Sequence, residues 1–141
     1  MEKPVIVLDE GARDTGLADI MFNLICQNLE QKPHRVRSFQ ALHSNVVIVV
    51  RDIDITVTLA FKRGELTIYH GIVGKADLKI IADHDAILEL SLINIVKGLP
   101  NYFNRAGRTI LRKLLLGDLK IEGMLTHPLQ LIYLTKIFSV N

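Results

Sequence analysis

The sequence contains no tryptophan and only one cysteine, Cys26. A lone thiol cannot close an internal disulfide, so packing and hydrogen bonds must hold the fold, as is usual in a reducing compartment. Aromatic residues make up only 6% of the chain, which leaves little to stack on nucleobases. The formal net charge of +2 is too small to argue for a nucleic-acid partner. No apolar run approaches the ~20 residues that span a bilayer. The longest uninterrupted one is Val46-Val47-Ile48-Val49-Val50. After Met1-Glu2-Lys3-Pro4 the apolar stretch Val5 to Leu8 is too short for a signal-peptide core, and Ser139-Val140-Asn141 is not a peroxisomal address. The expected location is cytoplasmic.

Apolar side chains, by contrast, are in surplus. Hydrophobic residues reach 49% and the mean hydropathy is +0.28, while charged residues still account for 23%. A chain of 141 residues is one domain by size, spanning 1–141. Its clearest local signal runs from Asp54 to Gly71. Ile55, Val57, Leu59 and Phe61 alternate with polar or small neighbours, and Leu66, Ile68 and His70 do the same after Arg63-Gly64. Successive strand side chains point to opposite faces, so each arm places its apolar set on one face of a sheet. A two-residue turn pairs Lys62 with Glu65, Phe61 with Leu66 and Leu59 with Ile68; Arg-Gly also admits a three-residue loop with Gly64 left-handed.

Around this hairpin the periodicity predicts further elements. Residues 1–13 are weakly patterned and read as an arm or an edge strand. Asp14 or Thr15 is a candidate cap for a helix carrying Leu17, Ile20, Met21, Leu24, Ile25 and Leu29, which must stop before Pro33. A short helix holds Val36, Phe39 and Leu42. Val46 to Val50 is apolar on both faces, as in a central strand. A strand from Ala76 to Ala82 precedes a helix capped by Asp83 with its body over 86–96. The next helix, Arg105 to Leu116, sets Ala106, Ile110, Leu111, Leu114 and Leu115 against Arg105, Arg108, Arg112 and Lys113. Asp118 to Glu122 alternates as a fifth strand, and Pro128 opens a last helix with almost no polar side.

Catalytic and metal-binding patterns are missing. None of His34, His43, His70, His84 and His127 stands at the i, i+4 spacing of a metal-binding helix face. Asp83-His84-Asp85, the densest group of potential ligands, reads as a capping segment. His70 falls on the apolar face of its strand and reads as a satisfied core histidine. Cys26 has no basic neighbour within a turn to activate it. There is no nucleophile elbow, P-loop or dinucleotide glycine pattern, so neither enzyme chemistry nor a cofactor or metal is expected.

The run Asp52-Ile53-Asp54-Ile55-Thr56-Val57-Thr58-Leu59-Ala60-Phe61-Lys62-Arg63-Gly64-Glu65-Leu66 resembles the strand–turn–strand of the sterol carrier protein 2 family. So does Ala76-Asp77-Leu78-Lys79-Ile80 before a helix starting near Asp83, and Gly117-Asp118-Leu119-Lys120-Ile121-Glu122-Gly123 resembles the family's last strand. The order and spacing of these segments, over Phe39 to Val140, carry the resemblance. It implies an α+β fold: a five-stranded, largely antiparallel mixed sheet packed with helices around an apolar tunnel. Family members bind sterols, fatty acids, acyl-CoA or phospholipids without converting them. The peroxisomal signal of the animal proteins is absent, and the apolar stretch between Asp83 and Gly117 looks like that of the stand-alone bacterial members, whose ligands need not be sterols.

The expected function is therefore non-catalytic binding and carriage of a hydrophobic ligand such as a fatty acid or phospholipid. Leu90, Ile93, Phe103, Ile110, Leu114, Ile121, Met124, Leu131, Leu134 and Phe138 are the expected cavity wall, with the terminal helix as a lid. Arg105, Arg108, Arg112 and Lys113 are the expected contacts to head groups or a transient membrane surface. Two alternatives use the same surplus: an accessory module presenting an isoprenoid-type intermediate, such as a quinone precursor, to biosynthetic enzymes, and a ligand-free homodimerisation domain that hides the same side chains in an interface.

Overall fold

A computed structural model describes residues 4–12, 16–91, 94–96, 99–101 and 105–138. In chain order the elements are β1 (Val5–Leu8), α1 (Leu17–Gln31), α2 (Val36–Ala41), β2 (Asn45–Val50), β3 (Ile55–Phe61), β4 (Glu65–His70), β5 (Leu78–Ala82), α3 (His84–Ser91), β6 (Asn94–Val96), β7 (Leu99–Asn101), α4 (Arg105–Leu116), β8 (Lys120–Glu122) and α5 (Pro128–Phe138). Among the described residues no helix is long and apolar enough to cross a membrane.

The main sheet has six strands among the described residues, in the order β1-β4-β3-β2-β5-β8. The expectation of five is corrected by the N-terminal arm: Val5–Leu8 pairs parallel with β4, from Val5 opposite Glu65 to Leu8 opposite Ile68. Its alternation is weak because it is an edge strand, with Val5 and Val7 turned outward and Ile6 and Leu8 packed on the core. The hairpin β3–β4 has the expected register, Phe61 opposite Leu66 and Leu59 opposite Ile68. Its loop has two residues, with Arg63 at φ 41° and Gly64 at φ 99°. Two positive φ values give the turn the twist that a hairpin needs, and Arg63 bears a left-handed backbone that costs about 1–2 kcal/mol.

β2 lies between β3 and β5, antiparallel to the first and parallel to the second. That register stacks Val46, Ile48 and Val50 beside Leu59, Val57 and Ile55 on one side, and beside Leu78, Ile80 and Ala82 on the other. This face carries the core, together with Met21 and Ile25 of α1, Phe39 of α2 and Ile137 of α5. Each such side chain contributes roughly 1.5–3 kcal/mol of burial. On the opposite face the chain after Gly71 folds back over the sheet. The Thr58 hydroxyl donates to Gly71 O (2.7 Å) and accepts from Val73 N (3.1 Å), and Val47 is buried there.

Three local expectations are corrected. The helix over 86–96 ends at Ser91, and Asn94–Val96 pairs antiparallel with Leu99–Asn101. β-branched Ile95 and Val96 before Lys97-Gly98 carry a hairpin signal that outweighs the helical spacing of the apolar residues. His70 is exposed, because β4 ends there. Leu115 is 88% exposed, since the helix turns Ile110 and Leu114 toward the protein instead. The expected caps at Asp14 and Thr15 lie outside the described residues.

Gly123, which ends β8, is fixed by space. A Cβ there would lie 2.1 Å from Asp77 O, and its φ of +87° disfavours any side chain.

Candidate functional site

The covered face of the sheet is solid at one end and hollow at the other. At the solid end Phe39 and Phe61 meet edge-to-face, ring centroids 6.1 Å apart, beside fully buried Leu42 and Leu66. At the other end a cavity of about 510 Å³ opens between sheet and helices. Its floor is Ile48, Ile55 and Ile80 from β2, β3 and β5. One wall is α1, through Leu17, Ile20, Met21 and Leu24, starting at Gly16. Facing it are Ile87 of α3 and Phe138 of α5, and Ile53 stands in the turn between β2 and β3. Ile20 and Ile53 are 61% and 44% exposed, so the apolar lining continues out to the surface.

α1 makes this possible by carrying two adjacent apolar stripes. Met21, Ile25 and Leu29, at i, i+4 and i+8, are buried. Leu17, Ile20 and Leu24, at i, i+3 and i+7, lie beside them along the cavity. In the sequence both fall on one apolar stripe, whose width, more than a helix needs to pack on one sheet, is the available signal.

Among the described lining residues His84 is the one polar side chain. Asp83 caps α3 by accepting from Ala86 N (2.8 Å), which sets His84 at the cavity rim. There Asp52 accepts from His84 N (3.0 Å) through Oδ1, and its Oδ2 pairs with His84 Nδ1. His84 Nε2 lies 3.2 Å from Asp85 Oδ1. The side-chain hydrogen bond to Asp52, then the charges of Asp52 and Asp85, raise the His84 pKa above its ordinary 6.5. The same bond lowers that of Asp52 below 3.8. Both ring nitrogens face carboxylates, so the imidazole is engaged at the rim rather than free to act as a base. Among the described residues no group of three or more His, Cys, Asp or Glu is placed to hold a metal ion. Cys26 is half-buried, and burial, then the Glu30 charge, raise its pKa and suppress the thiolate.

Of the residues expected from sequence to form the wall, Phe138 lines this cavity. Ile110 and Leu134 are buried in the core, Leu114, Ile121 and Leu131 pack against it half-buried, and Met124 is 37% exposed. Ile93, Phe103 and the side chain of Leu90 lie outside the described residues. Arg105, Arg108 and Arg112 are exposed, and Lys113 is half-buried with Nζ 3.5 Å from Asp83 Oδ2. The terminal helix is tied down toward both ends. Gln130 Oε1 accepts from His43 N (2.9 Å) and Ser44 Oγ (3.1 Å). Buried Asn28 Nδ2 donates to Ile137 O (2.9 Å) and Phe138 O (3.1 Å).

No family profile matches the sequence. No curated protein matches it either. Similarity is found in three dimensions. The structure of UbiJ-SCP2, a ubiquinone synthesis protein, covers 83% of this chain and 90% of its own at 16% identity, with a TM-score of 0.57. The crystal structure of sterol carrier protein 2 covers 82% and 88%, also at 16% identity, with a TM-score of 0.50. The resemblance read from the strand motifs is thus found in the fold: over more than four-fifths of its length the chain has an SCP2-like α+β fold.

Proposed function

We propose that this SCP2-like chain binds a hydrophobic small molecule or lipid in the cavity between α1, α3 and the sheet, and carries it without chemical change. The observation that supports this reading is the cavity itself. Its volume of about 510 Å³ falls among those of small-ligand pockets, roughly 300–1,000 Å³, and its walls are apolar except at the rim. Each methylene moved there from water gains about 0.8 kcal/mol, so the walls reward apolar length and discriminate poorly by shape. The single polar side chain sits where a ligand's polar end would meet water, and His84 orients that end at the mouth. An apolar lining supplies no nucleophile, and an imidazole engaged by two carboxylates is a poor general base, which favours carriage over catalysis.

A second reading is supported by the greater likeness to a ubiquinone synthesis protein than to sterol carrier protein 2. In it the ligand is an isoprenoid-type intermediate, presented to biosynthetic enzymes. Native mass spectrometry of the purified chain, followed by organic extraction, tests both. A stoichiometric acyl lipid supports carriage, and a quinone precursor supports presentation. An empty chain that takes up neither fatty-acid, phospholipid nor quinone probes overturns both.

A further inference from the structure

The exposed face of α4 plays no part in the cavity. Arg105, Arg108, Arg112, Leu115 and Leu116 follow one another at i, i+3, i+7, i+10 and i+11, a single helix stripe. All five are exposed, Leu115 at 88% and Leu116 at 68%. The opposite side is fixed inward by buried Ile110, by half-buried Leu114 on the core, and by the Lys113–Asp83 pair that ties α4 to the capping residue of α3. The stripe therefore cannot roll away from solvent without unpacking the helix.

The charges on this stripe work against the helix that carries them. α4 contains no acidic residue, and among the described residues none of the three arginines forms a salt bridge. Arg105 and Arg108 occupy the first turn, where the helix dipole favours anions, and like charges at i, i+3 repel. An anionic surface would turn both costs into attraction. The two leucines beside the cations select among such surfaces. A nucleic acid gives exposed leucines little to bury in, whereas a lipid interface accepts them between its head groups and acyl chains.

We propose that this face of α4 docks the protein on anionic lipid bilayers, with Arg105, Arg108 and Arg112 over the phosphates and Leu115 and Leu116 inserted at the interface. Docking here places the membrane against the helix packed beside α3, which forms one wall of the cavity. The inference does not depend on what fills the cavity.

Co-sedimentation of the full chain with vesicles tests it, using phosphatidylcholine alone and phosphatidylcholine mixed equally with phosphatidylglycerol. The chain is expected to bind the anionic vesicles and not the neutral ones. Binding weakens as salt shortens the screening length from ~30 Å at 0.01 M to ~8 Å at 0.15 M. Each Arg→Gln change at 105, 108 or 112 is expected to weaken binding about five-fold, and the triple variant about a hundredfold. Leu115→Ser with Leu116→Ser weakens it further. All five side chains are exposed, so circular dichroism and thermal melting should show every variant folded. Equal binding to both vesicle types, or a folded triple variant that binds like the unaltered chain, overturns the proposal. So does tighter binding to duplex DNA than to vesicles, or a dimer in sedimentation that Leu115→Ser dissociates. Uptake of a fluorescent fatty acid measured without vesicles reports on the cavity alone, so failure of that reading is told apart from failure of this one.

Discussion

The two ends of the same sheet face are built from the same residue types and end up in opposite states. Around Phe39, Leu42, Phe61 and Leu66 the helices close onto the strands, and each of these side chains is buried. Around Ile48, Ile55 and Ile80 the strands are equally apolar, yet α1 and α3 stand off and leave about 510 Å³. The difference is one of side-chain reach. The solid end receives aromatic rings from both layers, whereas the hollow end has aliphatic groups on the strands and a single ring, Phe138, opposite. Hydrophobicity draws the layers together; whether they meet depends on the volume that each layer brings.

This contrast can be broken from either side. Phe39→Ala should hollow the solid end and cost about 3–5 kcal/mol in chemical denaturation, the largest effect expected, because a packed neighbourhood relaxes only partly around lost volume. Asn28→Ala leaves the carbonyls of Ile137 and Phe138 without their buried donor and should cost about 1–3 kcal/mol. Since those carbonyls position Phe138, ligand uptake should fall together with stability, which a fluorescent acyl probe would show. Ile87→Phe should do the reverse of Phe39→Ala and fill the hollow end. Stability should then change by less than about 1.5 kcal/mol while probe binding is lost; unchanged binding would mean that ligands occupy another place.

The smallest effect concerns the rim. Asp52 raises the His84 pKa, so the pair's contribution is complete below the ordinary histidine value of 6.5 and fades as pH rises through the higher folded value. On the acid side Asp52 is lowered from 3.8, so the contribution holds above that value and fades as pH falls through the lower folded one. An NMR titration of the His84 ring should give a midpoint above 6.5, and Asp52→Asn should move it down. A midpoint indifferent to that substitution would dissolve the pair. The rim's occupancy by ligand can then be followed by the same signal.

Much of this was legible one residue at a time. Alternation in Ile55 to Phe61 and Leu66 to Ile68 fixed the hairpin register, because strand side chains repeat every two residues whatever lies above them. The doubly apolar Val46 to Val50 marked the strand inside the sheet. Asp83 was readable as a cap because its carboxylate serves an amide three residues away. The cavity was less legible. Leu17, Ile20 and Leu24 have the spacing of any packed helix face, so nothing local tells a cavity wall from a core contact. Leu115 is exposed for a related reason: spacing defines a stripe but not which edge of it the neighbours cover.

The sequence by itself determined the strand register, the hairpin, the cap of α3 and the absence of familiar catalytic patterns, because each rests on groups a few residues apart. Tertiary structure alone decided where the layers fail to meet, and that Asp52 finds His84 across 32 positions of chain. A void is defined by atoms that are missing between distant segments. Its place is set by how far α1 and α3 stand from the strands that carry Ile48, Ile55 and Ile80, a distance that no local pattern encodes.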